Sequence, residues 1–211
     1  MEPILIAALG DSTTAGTPGY RSPVEAPPDG EGNVESQFAY WLVEQHPHWR
    51  VLNRGVDGER SDEVAARFER DVLSRQPHVL VVIAGVNDVY QGRPIEHTKK
   101  HLRWIYDRAA AAGIPVVAGS ILPYNTATAD QNARMKAINR WIAGEAARDP
   151  NLTFVDTRAA VAARGNPNRL ASSPDDLHPD VEGYRKVAAT VGPVVDAVLA
   201  QPKVSADRAP E

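Results

Sequence analysis

The sequence predicts a three-layer α/β/α sandwich built on a five-stranded, mostly parallel sheet. Short apolar or β-branched runs recur at Ile4–Leu9, Val51–Asn53, Val79–Ala84, Pro115–Gly119 and Leu152–Val155. Longer segments with helical spacing of apolar residues lie between them. Such alternation implies right-handed crossovers and a parallel sheet covered by helices on both faces.

Each helical segment carries its own signals. Ser61–Gln76 opens with a cap candidate and acidic residues, and places Val64, Phe68 and Val72 on one face. Pro94 opens a helix carrying Leu102, Ile105 and Ala109, which Gly113 closes. Asp130–Arg148 puts Met135, Ile138 and Ile142 on one stripe. A last helix, about Val181 to Ala200, keeps Tyr184, Val187, Val191, Val195 and Val198 in register, but Gly192-Pro193 interrupts it. Proline removes a backbone donor and crowds the preceding turn, so a kink or short break is expected there. The chain reads as one domain over 1–200, and the polar stretch from Gln201 is expected to fray.

Two irregular segments stand out. Gly16–Gly32 contains four prolines and four glycines, and Thr157–Pro174 runs up to Asp175. Long loops in a compact α/β domain are usually functional, and ligands bind at the carboxyl edge of such sheets.

Bulk composition narrows the function. A chain of 211 residues with 43% apolar content can bury a core without disulfides or metal. A formal charge of −4 argues against nucleic acid as partner, because phosphate binding needs a basic face. No run approaches the length of a membrane span. The absence of cysteine excludes a thiol nucleophile and a disulfide framework. No basic leader precedes Ile4–Leu9, so the chain as given reads as cytoplasmic, although a trimmed secreted form would look the same. The oligomeric state is not legible.

The chemistry lies in four short blocks. Gly10-Asp11-Ser12 ends the first apolar run, and Asp175-Asp176-Leu177-His178 precedes the last helix. A serine hydroxyl becomes a useful nucleophile when a base takes its proton, and a carboxylate must hold that base. Asp175 can fold back across one turn to His178; Asp176 could in principle replace it but would point elsewhere. Gly55, in Asn53-Arg54-Gly55, and Asn87, in Gly85-Val86-Asn87-Asp88, are plausible donors to a developing oxyanion. Each block has a plain alternative. Ser12 could cap a helix, Asp175 or Asp176 likewise, and Gly55 and Asn87-Asp88 could form ordinary turns.

Taken in order, these blocks resemble the SGNH hydrolases, also called the GDSL esterase/lipase family. The continuation from His178-Pro179-Asp180 through Gly183-Tyr184 extends the likeness, which covers about Ile4 to Leu199. The resemblance implies a flavodoxin-like fold and an acyl-enzyme mechanism. It implies Ser12 as nucleophile, with Asp175 and His178 completing the triad. It also implies an oxyanion hole of the Ser12 N–H, the Gly55 N–H and the Asn87 side chain. No metal or cofactor is implied; the expected partner is a small acyl ester. Where the family often has glycine between the acid and the histidine, this chain has Asp176-Leu177. The Pro/Gly segment after Ser12 is similar to bacterial single-domain esterases and thioesterases of the family.

Several further residues are candidates. Val89, Tyr90 and Tyr124 follow strands and are expected to line the substrate pocket. His97 and His101 have metal-compatible spacing, but Lys99 and Lys100 between them favour a solvated face. His46 and His48 are expected to face water. The leading expectation is therefore a serine esterase acting on small or medium acyl groups. A thioesterase or a carbohydrate acetylesterase would use the same site. A non-enzymatic flavodoxin-like module is the rival, since Ser12-Thr13-Thr14 could cradle a phosphate or nucleotide.

Overall fold

The computed structural model of the protein describes residues 3–201. Of the polar C-terminal stretch expected to fray, Gln201 falls within them and 202–211 lie outside. Five parallel strands, β1 (Ile4–Gly10), β2 (Trp49–Gly55), β3 (Val79–Ile83), β4 (Val116–Gly119) and β5 (Leu152–Val155), form the sheet in the order β2-β1-β3-β4-β5. That is the flavodoxin-like order, and all five expected runs are strands.

Successive side chains of a strand point to opposite faces, so each central strand feeds two cores. Ala7 and Leu9 of β1 join Leu80 and Val82 of β3 on one face, against Val64, Phe68, Leu102, Ile105, Met135 and Ile138. Ile6 and Ala8 join Val79, Val81 and Ile83 on the other, against Phe38, Leu42, Val187, Val191 and Val195. Full burial of each Val, Leu, Ile, Phe or Met side chain among them contributes roughly 1.5–3 kcal/mol. The first layer holds α3 (Ser61–Ala66), α4 (Phe68–Asp71), α6 (Ile95–Ala111) and α7 (Ala129–Ala146). The second holds α2 (Phe38–Gln45) and α9 (Val181–Leu199). Three short helices, α1 (Ser12–Ala15), α5 (Val86–Tyr90) and α8 (Thr157–Val161), sit directly after β1, β3 and β5.

Two helices differ from expectation. The segment Ser61–Gln76 is broken into α3, α4 and a 3-10 turn at Leu73–Arg75. Arg67, at the first break, turns its guanidinium inward. It donates to the carbonyls of Gly10 and Arg54, both at 2.7 Å, and pairs with Glu59 and Asp71. One buried cation thus ties the carboxyl ends of β1 and β2 to α4. Conversely, α9 runs unbroken through Pro193. Val191 and Val195 on either side are fully buried, and Gly192 leaves room for the His46 ring against the helix. Tertiary packing outweighs the lost backbone donor. His46 accordingly stacks on Trp49 at 3.8 Å instead of facing water.

The Pro/Gly segment is anchored. Tyr20–Arg21 pairs with Glu31–Gly32, the Tyr184 hydroxyl donates to the Thr17 carbonyl at 2.7 Å, and the Ser22 hydroxyl donates to the Gly55 carbonyl at 2.6 Å. It lies folded beside the end of β1.

Candidate active site

β1 ends at Gly10, and the chain turns at once into α1. Asp11 caps that helix by accepting the Thr13 amide at 3.0 Å, so Ser12 is its first residue and not its cap. The other Asp11 oxygen is buried without a partner among the described residues. Burial raises the Asp11 pKa from 3.8 to about 7, Asp88 nearby adds to the rise, and the Thr13 amide opposes it.

The loop before α9 brings the histidine to this serine. His178 Nε2 lies 2.9 Å from Ser12 Oγ, and His178 Nδ1 lies 2.7 Å from Asp175 Oδ2. Asp175 Oδ1 also accepts the amides of Leu177 at 3.0 Å and His178 at 2.8 Å. Burial pushes the Asp175 carboxyl up. The His178 ring and the two amides outweigh that and hold it below the ordinary value. Asp176 points elsewhere, as expected. It sits in the left-handed region at φ 63, a conformation that favours glycine. Asn125 holds it there, with Asn125 N donating to the Asp176 carbonyl at 2.7 Å and Nδ2 to its Oδ1 at 3.1 Å.

A pocket of about 200 Å³ opens over these groups. Asn87, Tyr90 and Tyr124 line it together with Ser12 and His178. Tyr90 is 55% exposed at the rim and meets buried Tyr124 edge to face at 5.8 Å. Val89 does not reach the pocket. The α5 geometry turns it inward, and it is 1% exposed within the core.

Gly55 is also a correction. Its N–H already donates to Asn53 Oδ1 at 2.9 Å, and it is packed against the backbone of Ala15. Asn53 in turn donates from Nδ2 to the carbonyl of Ala15 at 3.0 Å and to Gln37 at 2.7 Å. The Asn-x-Gly block therefore fastens α1 to β2. Three residues on, Gly58 has φ 74, open space around it, and an N–H that meets no protein acceptor among the described residues. Asp57 beside it lines the pocket, and Asn87 Nδ2 donates to the carbonyl of Glu59 at 2.9 Å. The Gly-x-x-Gly spacing of Gly55 and Gly58 was the available signal in the sequence.

The His97 expectation needs revising too. Its Nε2 lies 3.3 Å from Asp62 and 3.8 Å from Asp88. The three residues offer ligand atoms within 4.8 Å of one another. Protein donors already occupy both carboxyls: Arg60 grips both oxygens of Asp62, and Ser61 both oxygens of Asp88.

The sequence pattern of the GDSL-like lipase/acylhydrolase family matches residues 8–186. The chain belongs to that family. An acetylxylan esterase of Geobacillus stearothermophilus is 29% identical over 66% of this chain and 68% of its own length. Among solved structures, a GDSL-like lipase from Bacteroides thetaiotaomicron superposes with a TM-score of 0.74 at 20% identity, covering 93% of this chain and 92% of that one. An acetyl-xylooligosaccharide esterase from Geobacillus superposes with a TM-score of 0.69 at 22% identity, covering both chains fully. This GDSL-family chain is a serine hydrolase of carboxylic esters, and the phosphate-loop alternative is not favoured. No helix among the described residues is long and apolar enough to cross a membrane.

Proposed function

We propose that this GDSL-family hydrolase removes acetyl or other short acyl groups from a hydroxylated, carbohydrate-like alcohol, with Ser12 as nucleophile. The observation that carries the reading is the unbroken run from Asp175 through His178 to Ser12, at 2.7 and 2.9 Å. His178 Nε2 takes the Ser12 proton as Oγ bonds to the acyl carbon. Asp175 accepts from Nδ1 and stabilises the imidazolium. The tetrahedral oxyanion receives hydrogen bonds from Ser12 N–H, Gly58 N–H and the Asn87 amide. One Asn87 hydrogen is spent on Glu59, which orients the group; the amide has a second to give.

Collapse breaks the carbon–oxygen bond to the alcohol, which leaves with the proton from His178. Water then loses a proton to the same nitrogen, attacks the acyl-enzyme and regenerates Ser12. A pocket of about 200 Å³ suits an acyl group of few carbons, with the alcohol half extending past the exposed face of Tyr90. The acetylxylan esterase relative supports a carbohydrate alcohol.

Ser12→Ala should abolish hydrolysis of p-nitrophenyl acetate while leaving the circular dichroism spectrum unchanged. Retained turnover would refute the nucleophile. A series of p-nitrophenyl esters from two to twelve carbons should show kcat/KM falling with length; a maximum at eight carbons or beyond would refute the short-acyl reading.

A further inference from the structure

A second cavity, about 350 Å³, lies between α7, the end of β5, α8 and the hairpin formed by Ala162–Ala163 and Asn166–Leu170. It shares no lining residue with the pocket at Ser12. Ala143, Phe154 and Pro167 give it apolar walls, and Lys136, Arg140 and Arg158 bring three cations to it. Asp156 is the acid of the lining, and its Oδ1 already accepts the Ser120 hydroxyl at 2.9 Å and the Ala159 amide at 3.1 Å.

Arg158 is the unusual member. It is 7% exposed, yet its guanidinium reaches neutral groups: Nη2 donates to Asn132 Oδ1 at 2.7 Å, and Nη1 faces Met135 Sδ at 3.9 Å. Its Nε is buried without a partner among the described residues. Burial lowers its pKa, and Asp156 opposes that shift. Among the described residues Arg158, Lys136 and Arg140 form no ion pair, whereas Arg67, the other buried arginine, pairs with Glu59 and Asp71. A charge taken out of water is costly unless an opposite charge meets it. In a chain of net charge −4, three cations against the single carboxylate of Asp156 around one apolar hollow mark a place where an anion is wanted.

We propose that this cavity binds a small organic anion, a carboxylate or a phosphate carried on a compact apolar body. Lys136 and Arg140 stand one turn apart on α7 and reach the anion from the open side. Arg158 supplies the deep positive charge, and the Ala143, Phe154 and Pro167 walls take the apolar body.

Calorimetric titration of the full chain at low salt tests this, with benzoate, phenyl phosphate and the neutral benzamide as probes. One anion or both should bind, and benzamide about tenfold more weakly or worse, because it lacks the charge. Tighter binding of benzoate assigns the carboxylate, and of phenyl phosphate the phosphate. Since ester hydrolysis releases a carboxylate, inhibition of p-nitrophenyl acetate turnover separately reports entry into the Ser12 pocket. Arg158→Met should remove the calorimetric binding. The double variant Lys136→Gln with Arg140→Gln, on the accessible side of α7, should weaken it about tenfold at unchanged esterase activity. Equal affinity for benzamide, binding untouched in the double variant, or no binding of either anion would overturn the proposal.

Discussion

Ser61 and Asp88 join the two loops that flank Ser12. The Ser61 hydroxyl donates to Asp88 Oδ1 at 2.6 Å, and its amide donates to Oδ2 at 2.8 Å. Both residues are fully buried. Asp88 follows Asn87, and Ser61 closes the loop that carries Gly58, so this pair sets the spacing of the two proposed oxyanion donors. Asp88→Ala should lower kcat on p-nitrophenyl acetate about tenfold or more with little change in KM, and cost roughly 1–3 kcal/mol in urea unfolding. Asp88→Asn should recover most of both, because its amide can accept the Ser61 N–H and donate to the Ser61 oxygen.

Asn87→Ala removes a neutral donor without leaving a buried charge. Its kcat should fall by roughly 10²–10³ if the amide serves the oxyanion. Steady-state kinetics separates this from a binding role, since a change confined to KM would exclude transition-state stabilisation.

Gly55 and Gly58 should respond oppositely to alanine. A Cβ at Gly55 would stand 2.0 Å from the Ala15 nitrogen, so Gly55→Ala should cost roughly 3 kcal/mol or more and yield little folded protein. Gly58 has free space but φ 74. Gly58→Ala should fold with a loss of about 1–3 kcal/mol, and lose kcat as its N–H is turned from the oxyanion. Thermal melts and kinetics on both variants distinguish the structural glycine from the proposed oxyanion donor.

Asp11 makes stability depend on pH with a definite sign. Its pKa is 3.8 when unfolded and about 7 in the folded chain. Between these values the folded state binds the extra proton, so its contribution is fully present below pH 4 and fades as pH rises to about 7. Asp11→Asn keeps an acceptor for the Thr13 amide and carries no charge. The Tm difference, variant minus wild type, should therefore grow in the variant's favour from pH 4 to 7 and level off above. A constant difference would mean that Asp11 does not titrate in that range.

Local pattern decided most of the architecture. Val79–Ala84 is apolar on both faces because β3 is central, and the alternating destinations of Ile6, Ala7, Ala8 and Leu9 follow from the period of two. The pairing of Asp175 with His178 was legible because the two are three residues apart and interact within one turn. Tertiary structure alone decided which glycine was free. Gly55 and Gly58 look equivalent in the chain, but the Asn53 side chain claims the first N–H, a contact that depends on how Asn53 also reaches Ala15 and Gln37. The same holds for α3 and α4, whose break follows from Arg67 reaching two strand ends, and for α9, where burial of Val191 and Val195 overrides Pro193. Sequence periodicity records which face a residue prefers. It does not record which of several hydrogen-bond partners, distant along the chain, arrives at a given donor, and that competition selected the site's details.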